Sequence, residues 1–286
     1  MKVLITGVSG FIGRELAEFF SKKKIQTIGM YNSKIPGIKK NKYLSLVQSN
    51  LVKNFPNLHA DVVIHCASLT PVNNLDNSIL FKKNIKMMQN IILNINSPKY
   101  FFLMSTMSVY GEIRYKKVYV NSLKINPNFY GKSKLECEKI LKEYNKKKKV
   151  NCFIFRLPGV VGKYSHSNFI TKLVNNILDK KEFTISNLNS NFNNIVHVED
   201  IFNFIIHIIR TKKNGFKIMN LAVRKPIKLK KILNYLVKKT RFKNKINTNK
   251  NNKNFIIDTS NAIKLGFKSK SVIKTISLFL KQKRLN

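Results

Sequence analysis

The stretch that decides the fold is MKVLITGVSGFIG, residues 1–13. A short apolar and β-branched run, Lys2 to Thr6, precedes glycines at positions 7, 10 and 13, and a helix-periodic segment follows from Phe11 to Lys23. This order predicts a strand, a tight glycine turn and a helix. Such a turn lets backbone N–H groups and the positive helix end approach a pyrophosphate that side chains would obstruct. The chain is therefore predicted to open with a dinucleotide-binding site.

The spacing and position of these glycines bear on whether they form a cofactor site or an ordinary turn. Glycines also serve ordinary turns, and the GxxGxxG order here differs from the more usual GxGxxG order. Their place directly between a strand and a helix, at the first βα turn, favours the cofactor site over a structural turn. The stretch TGVSGFIG resembles the extended branch of the short-chain dehydrogenase/reductase superfamily, the NAD-dependent epimerase/dehydratase family, whose members mostly act on nucleotide-activated sugars.

The resemblance covers essentially the whole chain and implies a fold. We expect an α/β protein with a Rossmann-like doubly wound parallel sheet and a smaller C-terminal substrate-binding lobe. In this prediction residues 1–157 form the NAD(P)-binding Rossmann-like domain and residues 158–286 form mainly the substrate-binding lobe, with segments near 194–225 returning to the main sheet. The polar stretch from Lys243 to Asn254 is predicted to be a mobile loop.

Composition excludes several classes of protein. No apolar run approaches the ~18 residues that span a bilayer, so we expect a soluble, cytoplasmic protein without a membrane span. Cys66, Cys137 and Cys152 are widely spaced and form no CxxC pair, and the five histidines form no ligand cluster. The cysteines are interpreted as buried thiols, and no metal site is predicted.

The net charge of +41 raises the question of a nucleic-acid partner. Only seven of the 54 basic residues are arginine, and the lysines are scattered over every predicted helix face, whereas nucleic-acid readers favour arginine forks with interleaved aromatic residues. We interpret the charge as a composition bias shared with asparagine. No specific nucleic-acid binding is predicted, although the charge attracts anionic ligands such as dinucleotides and nucleotide sugars.

The second predicted strand, Gln26 to Tyr31, indicates which cofactor is bound. NAD-preferring proteins carry an acidic residue about twenty positions after the glycines, where it holds the ribose 2′-hydroxyl, and none is present here. Because Asn32, Ser33 and Lys34 could bind or neutralise a 2′-phosphate, NADP is favoured over NAD. With the positions that the resemblance adds, the predicted cofactor contacts are Gly7, Ser9, Gly10, Phe11, Ile12, Gly13, Tyr31, Asn32, Ser33, Lys34, Asn50, Leu51, Cys66, Ala67, Ser68, Asn84, Tyr130, Lys134 and Pro158.

Two of these positions have alternative interpretations. Asn84 lies in NIKMMQNII, which is similar to a family helix whose asparagine supports the active-site backbone, but a solvated asparagine fits this sequence nearly as well. His65 ends the predicted strand DVVIHC, next to the cofactor contacts Cys66 to Ser68. We interpret it as a packed strand-end residue rather than a catalyst.

A predicted strand continues into STMSVYG, residues 105–111, which resembles a family element that carries a substrate-polarising hydroxyl. By that resemblance the hydroxyl is that of Thr106, which is expected to be catalytic and to contact the substrate. The family's 4,6-dehydratases have acidic residues at the next two positions. Met107 and Ser108 stand there in this chain, so dehydration is disfavoured.

The predicted helix from Phe129 to Lys147 begins FYGKSKLECEKIL. Tyr130 and Lys134 are four residues apart and therefore share one helical face. A free tyrosine is a poor acid or base near neutrality, and a nearby ammonium group favours its phenolate. Tyr130 is thus predicted to pass a proton as hydride moves, and Lys134 is predicted to assist it. By the resemblance Lys134 also holds the nicotinamide ribose.

The segment RLPGVVG, residues 156–162, resembles a family element that leads from the nicotinamide to the substrate. Gly159 replaces the family's asparagine that contacts the substrate diphosphate. Asn168 is the candidate replacement and predicted substrate contact, with an N-cap region as the alternative. Glu199 and Asp200 lie in a stretch similar to the family's I-H-V-D-D element and are interpreted as helix-capping acids rather than a catalytic pair.

These residues predict an enzyme that transfers hydride between a nicotinamide cofactor and a sugar carbon of a nucleotide sugar. An NADPH-dependent 4-keto-sugar reductase is favoured, and a 4-epimerase that retains NAD is the alternative. Because Gly159 departs from the family pattern, a substrate without a nucleotide also stays open. A more distant alternative is a non-catalytic dinucleotide-binding protein, and a homodimer is a possible assembly.

Overall fold

A computed structural model describes residues 1–35, 37–39, 41–71, 76–249 and 254–284. The helices there are α1 (Phe11–Lys22), α2 (Asn77–Asn94), α3 (Phe129–Lys148), α4 (Phe169–Leu178), α5 (Val198–Arg210), α6 (Leu229–Thr240), α7 (Ser260–Lys264) and α8 (Val272–Arg284). The strands are β1 (Lys2–Thr6), β2 (Gln26–Tyr31), β3 (Leu44–Gln48), β4 (Val62–His65), β5 (Tyr100–Thr106), β6 (Lys117–Val118), β7 (Asn151–Leu157), β8 (Gly159–Val161), β9 (Phe183–Ser186), β10 (Asn191–Phe192), β11 (Ile195–His197), β12 (Phe216–Asn220), β13 (Ile227–Lys228), β14 (Ile246–Asn249) and β15 (Ile256–Ile257).

Seven strands form a parallel central sheet in the order β12-β7-β5-β4-β1-β2-β3. The strand order reverses at β1, because β2 pairs with one side of it and β4 pairs with the other. Ligands of such sheets bind outside the carboxyl ends of the strands at the point of reversal. The predicted α/β doubly wound fold is therefore confirmed.

Apolar side chains cover both faces of this sheet. On one face Phe20 of α1 and Phe204 of α5 join a buried cluster with Phe102 of β5. On the other face Met88 of α2 and Leu141 of α3 join a second buried cluster. Helices on both faces bury the five inner strands except at their ends, as a doubly wound sheet requires, whereas the edge strands β3 and β12 are partly exposed.

A third apolar cluster lies in the C-terminal part of the chain, between α4, α6 and α8. It is bordered by the short pairs β8–β11, β9–β14 and β10–β13. The chain crosses back to the main sheet in between, where β12 pairs in parallel with β7. The division into two domains at residue 157 stays a prediction.

The polar stretch from Lys243 to Asn254 was predicted to be a mobile loop, and this is wrong for part of it. Ile246–Asn249 forms β14, which pairs in parallel with β9. The segment has a single apolar residue, Ile246, which packs against the third cluster, so its sequence carried no strand periodicity. Residues 250–253 lie outside the described part of the chain.

Across the described residues, no helix has the length and apolar character needed to cross a membrane.

Candidate functional site

The glycine turn between β1 and α1 is shaped by close backbone approach. Gly7 has a φ of +75°, and a Cβ atom there would lie 2.6 Å from the backbone nitrogen of Ala67. A Cβ atom on Gly13 would lie 2.5 Å from the carbonyl oxygen of Gly7. Gly10 is the N-cap of α1 and has no side chain to cover the helix end. The turn therefore leaves room for a pyrophosphate at the positive end of α1, which fits the predicted cofactor.

A first cavity, of about 430 Å³, runs from the glycine turn to the ends of β2 and β3. Its wall includes ten of the predicted cofactor residues: Gly7, Ser9, Gly10, Tyr31, Asn32, Asn50, Leu51, Cys66, Ala67 and Ser68. Two lysines that the sequence did not single out, Lys53 and Lys83, also line it. Among the described residues of this wall there is no Asp or Glu.

Three predicted cofactor residues lie elsewhere. Ser33 and Lys34 are exposed and are not among the described wall residues of the first cavity, although the carbonyl oxygen of Lys34 accepts a hydrogen bond from Ser9 Oγ at 2.7 Å. Asn84 is buried, with its Oδ1 accepting from Leu69 N at 2.8 Å and its Nδ2 donating to Ser133 Oγ at 3.0 Å. Asn84 thus fixes the loop after β4 to α3. Direct cofactor contacts of Ser33, Lys34 and Asn84 stay predictions.

A second cavity, of about 250 Å³, continues from the glycine turn to the ends of β5 and β7. It shares Gly7, Gly10, Cys66 and Ser68 with the first cavity. The remaining predicted cofactor residues are in its wall, namely Phe11, Ile12, Gly13, Tyr130, Lys134 and Pro158, and so is Thr106. The two cavities thus form one groove across the point where the strand order reverses.

Thr106, Tyr130 and Lys134 meet in this second cavity. Thr106 Oγ1 accepts a hydrogen bond from Ser108 N at 3.1 Å, which holds the hydroxyl at the end of β5. Lys134 is buried, and its Nζ donates to the carbonyl oxygen of Met104 at 3.0 Å. The same Nζ lies 5.9 Å from the centre of the Tyr130 ring. The Thr106 hydroxyl, the Tyr130 phenol and the Lys134 amino group are therefore brought together at one cavity wall.

The local sequence explains how α3 comes so close to β5. Asn128 caps α3, with its Oδ1 accepting from Gly131 N at 2.8 Å. A Cβ atom on Gly131 would lie only 2.2 Å from the carbonyl oxygen of Ser108. Glycine beside Tyr130 thus allows the first turn of α3 to touch the Ser108 turn. This contact brings Tyr130 to the end of the strand that carries Thr106.

His65 lies beneath the groove and has a packing role. Its Nδ1 is 2.7 Å from Thr6 Oγ1 and the side chain is buried. Burial, with a smaller contribution from the charge of Lys134, lowers the pKa of His65 to about 3. The imidazole is neutral at physiological pH, in agreement with the predicted packed strand-end residue.

A third cavity, of about 860 Å³, opens from the second and extends toward α4 and β9. Thr106 and Tyr130 line both cavities, and so do Pro158 and His166, the last of which the sequence did not single out. Side-chain hydroxyls and amides are numerous in its wall and include those of Asn168, Ser186, Ser190, Asn191 and Asn194. These uncharged hydroxyl and amide groups lie among apolar side chains such as Phe169 and Phe192, and they can hydrogen-bond the hydroxyl groups of a ligand.

Asn168 lies in this wall and also caps α4. Its Oδ1 accepts from Thr171 N at 3.1 Å, and Asn168 N donates to Thr171 Oγ1, which completes a capping box. Its Nδ2 donates to the carbonyl oxygen of Val160 at 2.9 Å. The alternative N-cap assignment is therefore present, while a substrate contact of Asn168 stays a prediction. A Cβ atom on Gly159 would lie 3.4 Å from Asn168 Cγ, so a larger side chain at position 159 would press on this cap.

The acidic pair after β11 and two of the three cysteines lie outside the three cavities. Glu199 and Asp200 are in the first turn of α5 and form ion pairs with Lys270, at 2.8 Å and 2.6 Å. Cys137 and Cys152 are buried free thiols, whereas Cys66 is half-buried. Among the residues that the structure describes, no group of three or more His, Cys, Asp or Glu side chains is arranged to hold a metal ion.

Residues 3–222 match the model of the NAD dependent epimerase/dehydratase family. The chain belongs to that family. The prediction of this family is thereby confirmed, and it is a family of NAD-dependent enzymes.

Two curated relatives are similar in sequence. A dTDP-D-glucose 4,6-dehydratase of Dictyostelium discoideum is 31% identical over 276 aligned positions, covering 79% of this chain and 61% of the relative. A GDP-6-deoxy-D-talose 4-dehydrogenase of Aggregatibacter actinomycetemcomitans is 30% identical over 220 positions, covering 73% of this chain and 70% of the relative. The chain thus spans about three fifths of the first relative's length.

Solved structures of the epimerase/dehydratase fold cover the whole chain. A UDP-glucose 4-epimerase of Thermotoga maritima has a TM-score of 0.80 at 16% identity, covering 100% of this chain and 99% of its own. A UDP-glucuronic acid 4-epimerase of Bacillus cereus in complex with NAD has a TM-score of 0.80 at 21% identity, with the same coverage. At these identities the likeness shows the fold.

Proposed function

We propose that the protein transfers hydride between a nicotinamide cofactor and a sugar carbon of a nucleotide sugar. One observation carries this proposal. The groove along the glycine turn opens into the third cavity at Thr106 and Tyr130, so a cofactor in the groove and a sugar in that cavity would meet at the reactive hydroxyls.

Each reactive side chain has a distinct task in this proposal. The bound cofactor supplies or accepts the hydride. The Thr106 hydroxyl polarises the sugar oxygen, and the Tyr130 hydroxyl gives that oxygen a proton during reduction or removes it during oxidation. The Lys134 ammonium group, fixed by the Met104 carbonyl oxygen, stabilises the phenolate that Tyr130 becomes when its proton leaves.

Of the two candidate reactions, we favour that of an NADPH-dependent 4-keto-sugar reductase, which releases an alcohol. The described wall of the first cavity has no carboxylate, and Lys53 and Lys83 could neutralise a 2′-phosphate there. The 4-dehydrogenase among the relatives is named for hydride transfer at one carbon. Met107 and Ser108, which follow Thr106 in the third-cavity wall, do not supply the acid and base of a dehydratase.

A 4-epimerase that retains NAD is the second candidate. It is favoured by the solved structures of similar fold, which include 4-epimerases and a complex with NAD. In that case the same three side chains would act twice, first in oxidation and then in reduction of the sugar from its other face.

Cofactor binding separates these two candidates. We would first identify any nucleotide released when the purified protein is denatured, and then measure the affinities of NADPH and NADH. Freely exchanging NADPH that binds at least about tenfold more tightly than NADH is expected for the reductase. Tightly retained NAD⁺ would support the epimerase and contradict the NADPH preference.

The two lysines can be tested with 2′,5′-ADP, which carries the 2′-phosphate without the nicotinamide. Lys53→Ala and Lys83→Ala are each expected to weaken its binding by about three- to tenfold, because an ammonium–phosphate contact is lost. Lys86→Ala is the matched control, since Lys86 is an exposed lysine of α2 outside the first-cavity wall. Equal effects of all three substitutions would show that only the overall charge matters.

Substrate turnover tests the enzyme against the non-catalytic alternative. UDP-, dTDP- and GDP-linked sugars and 4-keto sugars would be offered with each cofactor, and both cofactor consumption and sugar epimers would be measured. Turnover of none of them, with intact cofactor binding, would favour a dinucleotide-binding protein without catalysis or a substrate without a nucleotide.

A further inference from the structure

A buried network that the mechanism above does not use lies beneath the reactive side chains. At its centre Arg156 pairs with Glu138, with Nη2 2.6 Å from Oε2 and Nε 3.0 Å from Oε1. The two side chains are 3% and 6% exposed. Acidic side chains are seldom fully buried unless they are paired, and Glu138 is paired with Arg156.

The network extends from this pair to neighbouring elements. Glu138 Oε1 also accepts from Ser105 Oγ at 2.6 Å. Arg156 Nη1 donates to Tyr110 Oη at 2.9 Å, and Tyr110 Oη donates to Asn220 Oδ1 at 2.7 Å. The network therefore joins α3, the end of β5, the turn after it, β7 and β12.

These attachment points are next to the reactive groups. Glu138 follows Tyr130 and Lys134 on α3 by eight and four residues, so the three side chains share one helical face. Ser105 directly precedes Thr106 on β5. A single carboxylate thus bonds the strand end that carries Thr106 and lies on the helix face that carries the proton donor.

Stability alone does not account for such an arrangement. A buried ion pair often contributes no more to stability than apolar side chains of the same volume, whereas its fixed geometry can specify one arrangement of the elements that it joins. We propose that Glu138 is a positioning residue, which holds the Tyr130–Lys134 face of α3 in register with Thr106 through Ser105 and Arg156. This inference rests on the hydride transfer proposed above.

Two variants separate charge from shape. Glu138→Gln keeps the volume but removes the charge, and the double variant Glu138→Leu with Arg156→Met replaces the pair with apolar side chains. Because a displacement of about 1 Å at reacting groups can cost ~100-fold in rate, kcat is expected to fall about 10- to 100-fold in both. The KM for sugar substrate and the Kd for NADPH are expected to change by less than about threefold, since neither ligand is bound by the network.

Asp200→Asn is the matched control, because it breaks another buried ion pair, that with Lys270, outside the three cavities. Melting temperatures would be measured for all variants, and rates compared well below each one. A purely structural role of Glu138 predicts that all three variants lose activity only in proportion to the unfolded fraction. That result would overturn the proposal.

A readout without substrate keeps this test separate from that of the proposed function. Tyrosines labelled with 3-fluorotyrosine would be observed by ¹⁹F NMR, with the Tyr130 signal assigned by its loss in Tyr130→Phe. The signal is expected to shift or split in both Glu138 variants and to stay unchanged in Asp200→Asn. An unmoved Tyr130 signal in the Glu138 variants would refute positioning even if no sugar is turned over, whereas a moved signal without any turnover would count only against the proposed function.

Discussion

Tyr130 is the residue on which the proposed chemistry depends most directly, because its side chain lines both the groove and the third cavity. Tyr130→Phe removes one hydroxyl and keeps the ring. Loss of a general acid is expected to lower turnover by about 10²- to 10⁴-fold, measured as NADPH consumption. The Kd for NADPH, measured by fluorescence, is expected to change by less than about threefold.

The matched control for this substitution is Tyr119→Phe, which removes a hydroxyl from an exposed tyrosine outside the three cavities. Its turnover is expected to equal that of the unaltered protein. An unchanged rate in Tyr130→Phe would disprove the catalytic assignment.

Glu15 provides a second prediction at the scale of one residue. Its carboxylate is buried on α1 and accepts from Tyr164 N at 3.0 Å. Burial raises the pKa of Glu15 from 4.5 to about 7. The folded state therefore holds a proton that the unfolded state releases, so this residue's stabilising contribution is complete below about pH 4.5 and is lost as the pH rises through 7.

Glu15→Gln is accordingly expected to stabilise the protein at alkaline pH, by on the order of 1–3 kcal/mol at about pH 8, because no buried charge forms. Urea unfolding at several pH values would measure this effect. Glu143→Gln, an exposed carboxylate of α3, is the control and is expected to show little change. A loss of stability in Glu15→Gln at alkaline pH would contradict the expected cost of the buried charge.

Some residues of the candidate site could be predicted from the sequence, and others could not. The spacing of Tyr130 and Lys134 indicated a shared helical face, and the structure brings both side chains to Thr106. Nothing in the sequence indicated that Lys53 and Lys83, from different elements, line one cavity with Asn32. In a chain with 54 basic residues, an individual lysine carries almost no positional signal.

At the scale of elements, α4 links the stability of a helix to the wall of the third cavity. Asn168→Ala removes the side chain that caps α4 and is expected to lower the free energy of unfolding by about 1 kcal/mol. Asn168→Ser keeps a capping oxygen but lacks the amide that bonds the Val160 carbonyl oxygen, and is expected to stay within about 0.5 kcal/mol of the unaltered protein.

Chemical denaturation of both variants would measure the cap, and the KM for sugar substrate would measure the predicted substrate contact. If Asn168 binds substrate, the KM rises in both variants, including the stable serine variant. A KM that follows stability alone would restrict Asn168 to the helix end.

Strong periodicity decided which elements could be predicted. The alternation of strand, turn and helix through β1, α1 and β2, and the buried run of β4, gave the parallel sheet, because such segments carry their own hydrophobic pattern. The strand β14 could not be predicted in this way, because its residues carry no hydrophobic pattern and it is held by backbone pairing with β9. The close approach of Gly131 to the Ser108 carbonyl oxygen could not be predicted from the sequence either, since it depends on where Ser108 lies after folding.

For the whole molecule, the net charge of +41 predicts a kinetic effect on anionic ligands. The association rate of NADPH is expected to fall by roughly tenfold or more between about 0.05 and about 0.5 M salt, because screening shortens the reach of the positive field. Stopped-flow fluorescence would measure it.

Adenosine is the control ligand, since it is uncharged and its association is expected to be nearly independent of salt. Equal salt dependence of the two ligands would contradict electrostatic steering. Nucleic acid is expected to bind only weakly at physiological salt and with a steep salt dependence. Specific binding that persists at high salt would instead contradict the composition-bias interpretation of the lysines.

The parallel pairing of β12 with β7 also affects how the chain folds during its synthesis. A nascent chain that has emerged only as far as Leu157 has no seventh strand, so β7 is an open edge, and Phe202 of α5 is not yet present to pack 4.9 Å from the ring of Phe20. The sheet is complete only after Asn220 has left the ribosome. A truncated product ending near residue 157 is therefore expected to be a client of chaperones, although it contains the whole glycine turn and Tyr130.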